Sequence, residues 1–115
     1  MLIYHMLPAD DWAATPAKAP YRAASLQTEG FIHCSGNRAT LLTVGNTFYR
    51  NQPGEWLVLV IDEAAVDAPV QWDPVGDTHF PHVYGPLNRS AVIAVKPFPR
   101  STEGAFALPD DWQTA

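Results

Sequence analysis

Trp56-Leu57-Val58-Leu59-Val60-Ile61 is the stretch that most restricts how this chain can fold. Six apolar residues stand in a row, with β-branched side chains at Val58, Val60 and Ile61. The run is far too short to span a membrane, and it lacks the polar alternation of a half-exposed strand. It predicts a central strand buried on both faces, so the rest of the chain must supply cover on each side. The strand carrying His33 is the expected neighbour on one side, with a helix over residues 38–50 packed on the sheet.

The remaining segments read as short elements. Leu2 to Leu7 is an apolar strand. Pro8 ends it and suits the first position of a helix, with Asp10 and Asp11 in the first turn and Trp12 as buried anchor. Ala13 to Pro20 is a loop, and Tyr21-Arg22-Ala23 a brief extended piece. Ser25 is an N-cap for one turn through Glu29, which Gly30 stops. Leu41, Val44, Gly45 and Phe48 follow helical spacing, widened by Leu42 and Tyr49, with Ser35 or Asn37 as cap. Asn51 to Gly54 is a turn. Beyond the apolar run, Asp62 to Asp67 forms one helical turn, Val70-Gln71-Trp72 a short strand, and Asp73 to Asp77 a loop. Pro81 assigns the extended stretch His79 to Leu87 to an edge or a loop. Ala91 to Val95 is a strand closed by Pro97 and Pro99, and Gly104 to Leu108 adds a last short one. The pattern predicts a single α+β domain over residues 1–115, with a mixed or split sheet and one main helix.

Charge and cysteine narrow the function classes. Seven basic and twelve acidic residues give 7 − 12 = −5, which argues against a general nucleic-acid or anionic-membrane surface. The lone Cys34 excludes an internal disulfide and fits a reducing compartment. No basic region precedes an apolar run at the N-terminus, and no run reaches membrane-spanning length. The expectation is a soluble, cytoplasmic protein.

Chemistry concentrates in Glu29-Gly30-Phe31-Ile32-His33-Cys34-Ser35. Strand alternation puts Phe31, His33 and Ser35 on one face and Ile32 and Cys34 on the other. An imidazole and a hydroxyl thus point the same way in an apolar segment, which is costly unless both have partners or ligands. His33 is read either as an acid, base or ligand-orienting group, or as a core histidine satisfied by a carbonyl. Ser35 is either a helix cap or part of the same site. His5, on the first strand with Ile3 and Leu7 on its face, is a ligand donor or a half-buried histidine. Phe80, His82 and Tyr84 share a face, which makes His82 and Tyr84 cleft residues, Tyr84 as a stacking surface. Their alternative is a turn held by Pro81, Gly85 and Pro86. Tyr49 closes the pocket or belongs to the helix core stripe. His79 and His82 fall on opposite faces with no completing ligands, so no metal site is expected. Cys34 points away from His33 and reads as a small buried hydrophobe.

The stretches Ile3-Tyr4-His5, Glu29 to Ser35 and Phe80-Pro81-His82-Val83-Tyr84-Gly85-Pro86-Leu87-Asn88, in this order, resemble the domain of unknown function 952 family from Leu2 to about Phe106. That family's fold is similar to the ADP-ribosyltransferase fold, a split β-sheet with a cleft that holds NAD in the enzymes. Tyr4-His5 and Phe31 to Ser35 also resemble strands of the RNA 2′-phosphotransferases. The resemblance implies His5 and His33 at the nucleotide cleft, with Ser35 beside them; together with the residue readings above, this makes His5, His33 and Ser35 the expected catalytic residues and His82, Tyr84 and Tyr49 the expected ligand-binding ones. NAD, ADP-ribose or a related nucleotide is the implied ligand, and glycosyl or ADP-ribosyl transfer or hydrolysis the implied reaction class. Met6 stands where the enzymes carry a glycine, and Glu103 is the candidate for their catalytic carboxylate. The rival expectation is a non-catalytic module for a metabolite or protein partner that keeps the fold without the chemistry.

Overall fold

The computed structural model of the chain describes residues 1–109. The apolar run is β3 (Trp56–Asp62), the middle strand of an antiparallel sheet ordered β1-β3-β6. Its neighbours are β1 (Leu2–Pro8) and β6 (Val92–Pro97). Alternation along β3 feeds two cores. Leu59 and Ile61 join Ile3, Leu7, Tyr21, Ile32, Cys34, Val83 and Leu87 on one face. Trp56, Val58 and Val60 join Tyr4, Met6, Leu41, Phe98 and Phe106 on the other. Both faces of the run are therefore covered, as its composition requires.

The neighbouring strand differs from expectation: β3 is flanked by β1, not by the strand that carries His33. β1 matches β3 residue for residue, from Leu2 opposite Asp62 to Pro8 opposite Trp56. The His33 strand, β2 (Ile32–His33), is only two residues long and belongs to a second antiparallel sheet, ordered β2-β5-β4. A seven-pair ladder of two largely apolar strands pairs more backbone and buries more surface than β2 can offer.

In the second sheet, β4 (Val70–Val75) and β5 (Thr78–Val83) form a hairpin closed at Gly76-Asp77, with Gly76 at φ 61°. Most of the expected Asp73–Asp77 loop is therefore strand. β5 is central despite Pro81, against the expectation of an edge or loop. The Pro81 carbonyl accepts from the Cys34 amide at 3.0 Å, but proline has no N–H to return. The β2–β5 ladder stops there, so the missing donor falls where pairing ends. The chain then crosses to β1, where Ser35 and Tyr4 exchange amide–carbonyl bonds of 2.7 and 2.9 Å. This one residue pair joins the two sheets into a split sheet.

After the first helix, α1 (Ala9–Ala14), comes the turn α2 (Ser25–Thr28), which ends at Gly30 with φ 88°. The N-cap is Ala24, so Ser25 is the first helical residue and not the cap. Asn37 caps α3 (Arg38–Val44), its side chain accepting from the Thr40 amide at 2.8 Å. A π-helical turn, Gly45–Tyr49, continues it. A Cβ on Gly45 would lie 3.2 Å from Phe106 and 3.3 Å from Met6, so glycine lets the helix sit close on the core. The wider turn corrects the predicted stripe: Tyr49 turns inward against Trp56, and Phe48 is left 68% exposed. The expected last strand reduces to one bridge, Arg100 to Phe106, with Phe106 also clamped by both polar atoms of the Asn46 amide. Among the described residues no helix is long and apolar enough to cross a membrane.

Candidate functional site

On the face of the split sheet that carries Tyr4, Met6, His33 and His82, α3 packs on β1, and its Leu41 joins the core built on β1 and β3. Where that packing stops, a cavity of about 430 Å³ remains between the helix and the second sheet. Phe31, His33, Ser35, Phe80 and His82 line one side, and Leu41, Val44, Phe48 and Tyr49 the other. His5 and Glu29 also border it. The expected residues His33, Ser35, His82 and Tyr49 thus come together. Tyr84 lies behind the lining, against Phe31.

Two imidazole–carboxylate pairs organise the second-sheet wall. His82 is buried, with Nδ1 2.8 Å from Asp73 Oδ2. The Tyr84 hydroxyl donates a short hydrogen bond to the same oxygen. Hairpin register explains the pair: Asp73 lies opposite Phe80, one diagonal step from His82 on the same face. The bonds from Tyr84 and then His82 hold the Asp73 carboxyl below the usual carboxylate range, and the bond to Asp73 raises the Tyr84 phenol. An ionised Asp73 only accepts, so His82 Nδ1 carries the proton. His82 Nε2 makes no hydrogen bond among the described residues.

His33 forms the second pair, its Nε2 donating to Glu29 Oε2 at 2.8 Å with both side chains about half exposed. Phe31 bridges the two pairs. Its ring stacks on His82 at 4.1 Å between centroids, and His33 meets His82 edge-on at 5.2 Å. His33 is thus neither sealed in the core nor bonded to a carbonyl through its ring.

His5 departs from its expected role. Its ring is buried on the Ile3 and Leu7 face, where Nδ1–H donates to the His33 carbonyl at 2.6 Å and the Tyr21 hydroxyl donates to Nε2 at 3.2 Å. Both nitrogens are occupied, and burial pushes its pKa down to about 4. It is a neutral structural histidine that holds the carbonyl of the residue in the site. Ser35 is not a helix cap. Its backbone makes the seam with Tyr4, and its hydroxyl, on the cavity lining, makes no hydrogen bond among the described residues. Cys34 is buried in the first core, which pushes its thiol up to about 12 and leaves it unreactive. Glu103 lies with Arg50 and Arg100 in a separate surface depression and not at the cavity.

Sequence reasoning missed the carboxylates. Glu29 stands in the motif itself, four residues before His33, across a glycine turn that folds it back. Asp73 was hidden by its Asp-Pro neighbourhood, which reads as loop. Aligning Val70–Val75 against Thr78–Val83 about Gly76 would have placed it beside His82.

The family model described as "Protein of unknown function (DUF952)" matches residues 6–95. No curated protein matches the chain. The crystal structure of protein CC0527 from Caulobacter crescentus is similar, at 25% identity and TM-score 0.84, over 98% of this chain and 99% of that one. The solution NMR structure of the same protein is similar at 26% identity and TM-score 0.78, over 96% and 95% of the two chains.

Proposed function

The chain belongs to the DUF952 family, and from that premise we propose that it binds a small molecule of nucleotide type in the Phe31–His33–His82 cleft. The observation that carries this reading is the convergence of two carboxylate-paired imidazoles and a bridging aromatic ring on one wall of the cavity. A volume of about 430 Å³ suits a small ligand, and Phe31, Tyr49 and Phe80 supply faces on which a base or nicotinamide ring can stack. The sequence likeness to ADP-ribosyltransferase-type proteins makes NAD and ADP-ribose the first ligands to try.

One observation favours a second, catalytic reading. Asp73 orients His82 in the manner of a carboxylate that positions a general base, with Nε2 left for a proton. In hydrolysis of an N-glycosidic bond, water would attack the anomeric carbon and give its proton to Nε2 as the base leaves. Glu29 borders the same cavity, where its negative charge would stabilise positive charge on the sugar.

NMR titration of isotope-labelled protein with NAD and ADP-ribose tests the proposal. Shifts grouped at Phe31, His33, Ser35 and His82 are expected at millimolar ligand. No grouped shift with any adenine nucleotide or nucleoside would refute it. Release of the free base during the titration would support the catalytic reading, and an unchanged ligand would reject it.

A further inference from the structure

The positions of the imidazole protons decide which kind of ligand the cleft accepts. His82 Nδ1–H is committed to Asp73, and His33 Nε2–H to Glu29. In a neutral imidazole only one nitrogen carries hydrogen, so the other presents a lone pair. Each carboxylate therefore fixes the tautomer of its histidine. His82 Nε2 and His33 Nδ1 both become acceptors, and neither has a partner among the described residues. Glu29, at the same rim, adds acceptors only. Among the described residues, the Ser35 hydroxyl is the side-chain group on this wall left to donate, and no Lys or Arg lines the cavity.

We infer that the cleft selects an uncharged ring compound through its own N–H and O–H donors, and that it excludes phosphate. A carboxamide N–H₂ or a ribose diol meets the lone pairs of His33 and His82, while its ring lies among Phe31, Phe80 and Tyr49. A phosphate there would face the Glu29 carboxylate and bare imidazole nitrogens with no lining Lys or Arg to offset it, at a cost set by unpaired charge. This rests on the nucleotide-type reading above and deepens it: the nucleoside or carboxamide end enters the cavity, and any diphosphate stays outside.

Two measurements test it on the wild-type protein. Long-range proton–nitrogen correlation at mildly alkaline pH reads each tautomer directly. Nδ1–H is expected for His82 and Nε2–H for His33, and the opposite tautomer at His82 would overturn the inference whatever binds.

Affinity is then compared within matched pairs: nicotinamide against methyl nicotinate, and adenosine against 2′,3′-dideoxyadenosine. The first pair probes the carboxamide source of donors and the second the ribose diol. Loss of the donors is expected to weaken binding about tenfold in whichever pair supplies the ligand. Inorganic pyrophosphate is expected to give no shift in the cleft. If NAD and ADP-ribose shift the cleft but the uncharged compounds do not, or if pyrophosphate competes with them, the donor rule falls and the nucleotide proposal stands. If neither charged nor uncharged compounds shift it, both fall.

Discussion

His5 and His33 share a hydrogen bond yet have opposite roles, and a pair of substitutions separates them. His5 is buried with both nitrogens bonded, so His5→Ala leaves the His33 carbonyl and Tyr21 hydroxyl unpaired. It should cost roughly 1–3 kcal/mol in urea unfolding. His33 is about half exposed and its one ring bond is to a surface carboxylate. His33→Ala should change stability by no more than about 0.5 kcal/mol while weakening ligand binding. His5 also predicts an acid response. Folded His5 titrates near 4 and not at its ordinary 6.5, so between those values the unfolded chain binds a proton that the folded chain refuses. Stability should fall as pH drops through that window, by on the order of 3 kcal/mol. Asp73, whose folded carboxyl is depressed, adds a further loss at lower pH still. Denaturant unfolding of wild type and His5→Phe across this range checks the sign. A slope that survives in His5→Phe would remove His5 as its cause. Alternation in Phe31 to Ser35 was enough to put His33 and Ser35 on one face. Whether a histidine's nitrogens are free was not legible, because Tyr21 and Asp73 are contributed by distant segments.

At the scale of elements, two local fits around the cleft are testable. Asn37→Ala removes the cap of α3 and should cost about 1 kcal/mol. Gly36 sits against the Trp72 ring, and a Cβ there would lie 2.6 Å from a ring carbon. Gly36→Ala must therefore push back Trp72, whose indole N–H is held by Glu63. It should cost roughly 1–3 kcal/mol. Urea unfolding of both variants, with near-ultraviolet circular dichroism for Trp72, gives the comparison. An unchanged midpoint for Gly36→Ala would mean that the ring yields without strain. The helix over residues 38–49 was readable from its periodicity, and β3 from an unbroken, β-branched apolar run. The β4–β5 hairpin was not, since Asp73-Pro74 mimics a turn and only pairing with β5 makes it strand.

For the molecule as a whole, the seam between Tyr4 and Ser35 governs how the two sheets share stability. β3 is covered on both faces and paired on both edges, whereas β4 is the outer strand of a sheet with one open face. Hydrogen exchange should be slowest at Val58 to Ile61 and faster in β4, with the hairpin near Gly76 opening first. Equal protection in β3 and β4 would show that the seam makes the sheets a single cooperative unit.

The sequence by itself determined the buried strand, the capped helix, the common face of Phe31, His33 and Ser35, and that of Phe80, His82 and Tyr84. These follow from side-chain period and local backbone preference, which act over a few residues. Only the tertiary structure decided that β1 and not β2 lies beside β3, that His5 is consumed by internal bonds, and that Glu29 and Asp73 set the protons of His33 and His82. Those outcomes depend on which strand offers the longer apolar ladder and on which distant polar groups meet in the fold. No local pattern encodes either.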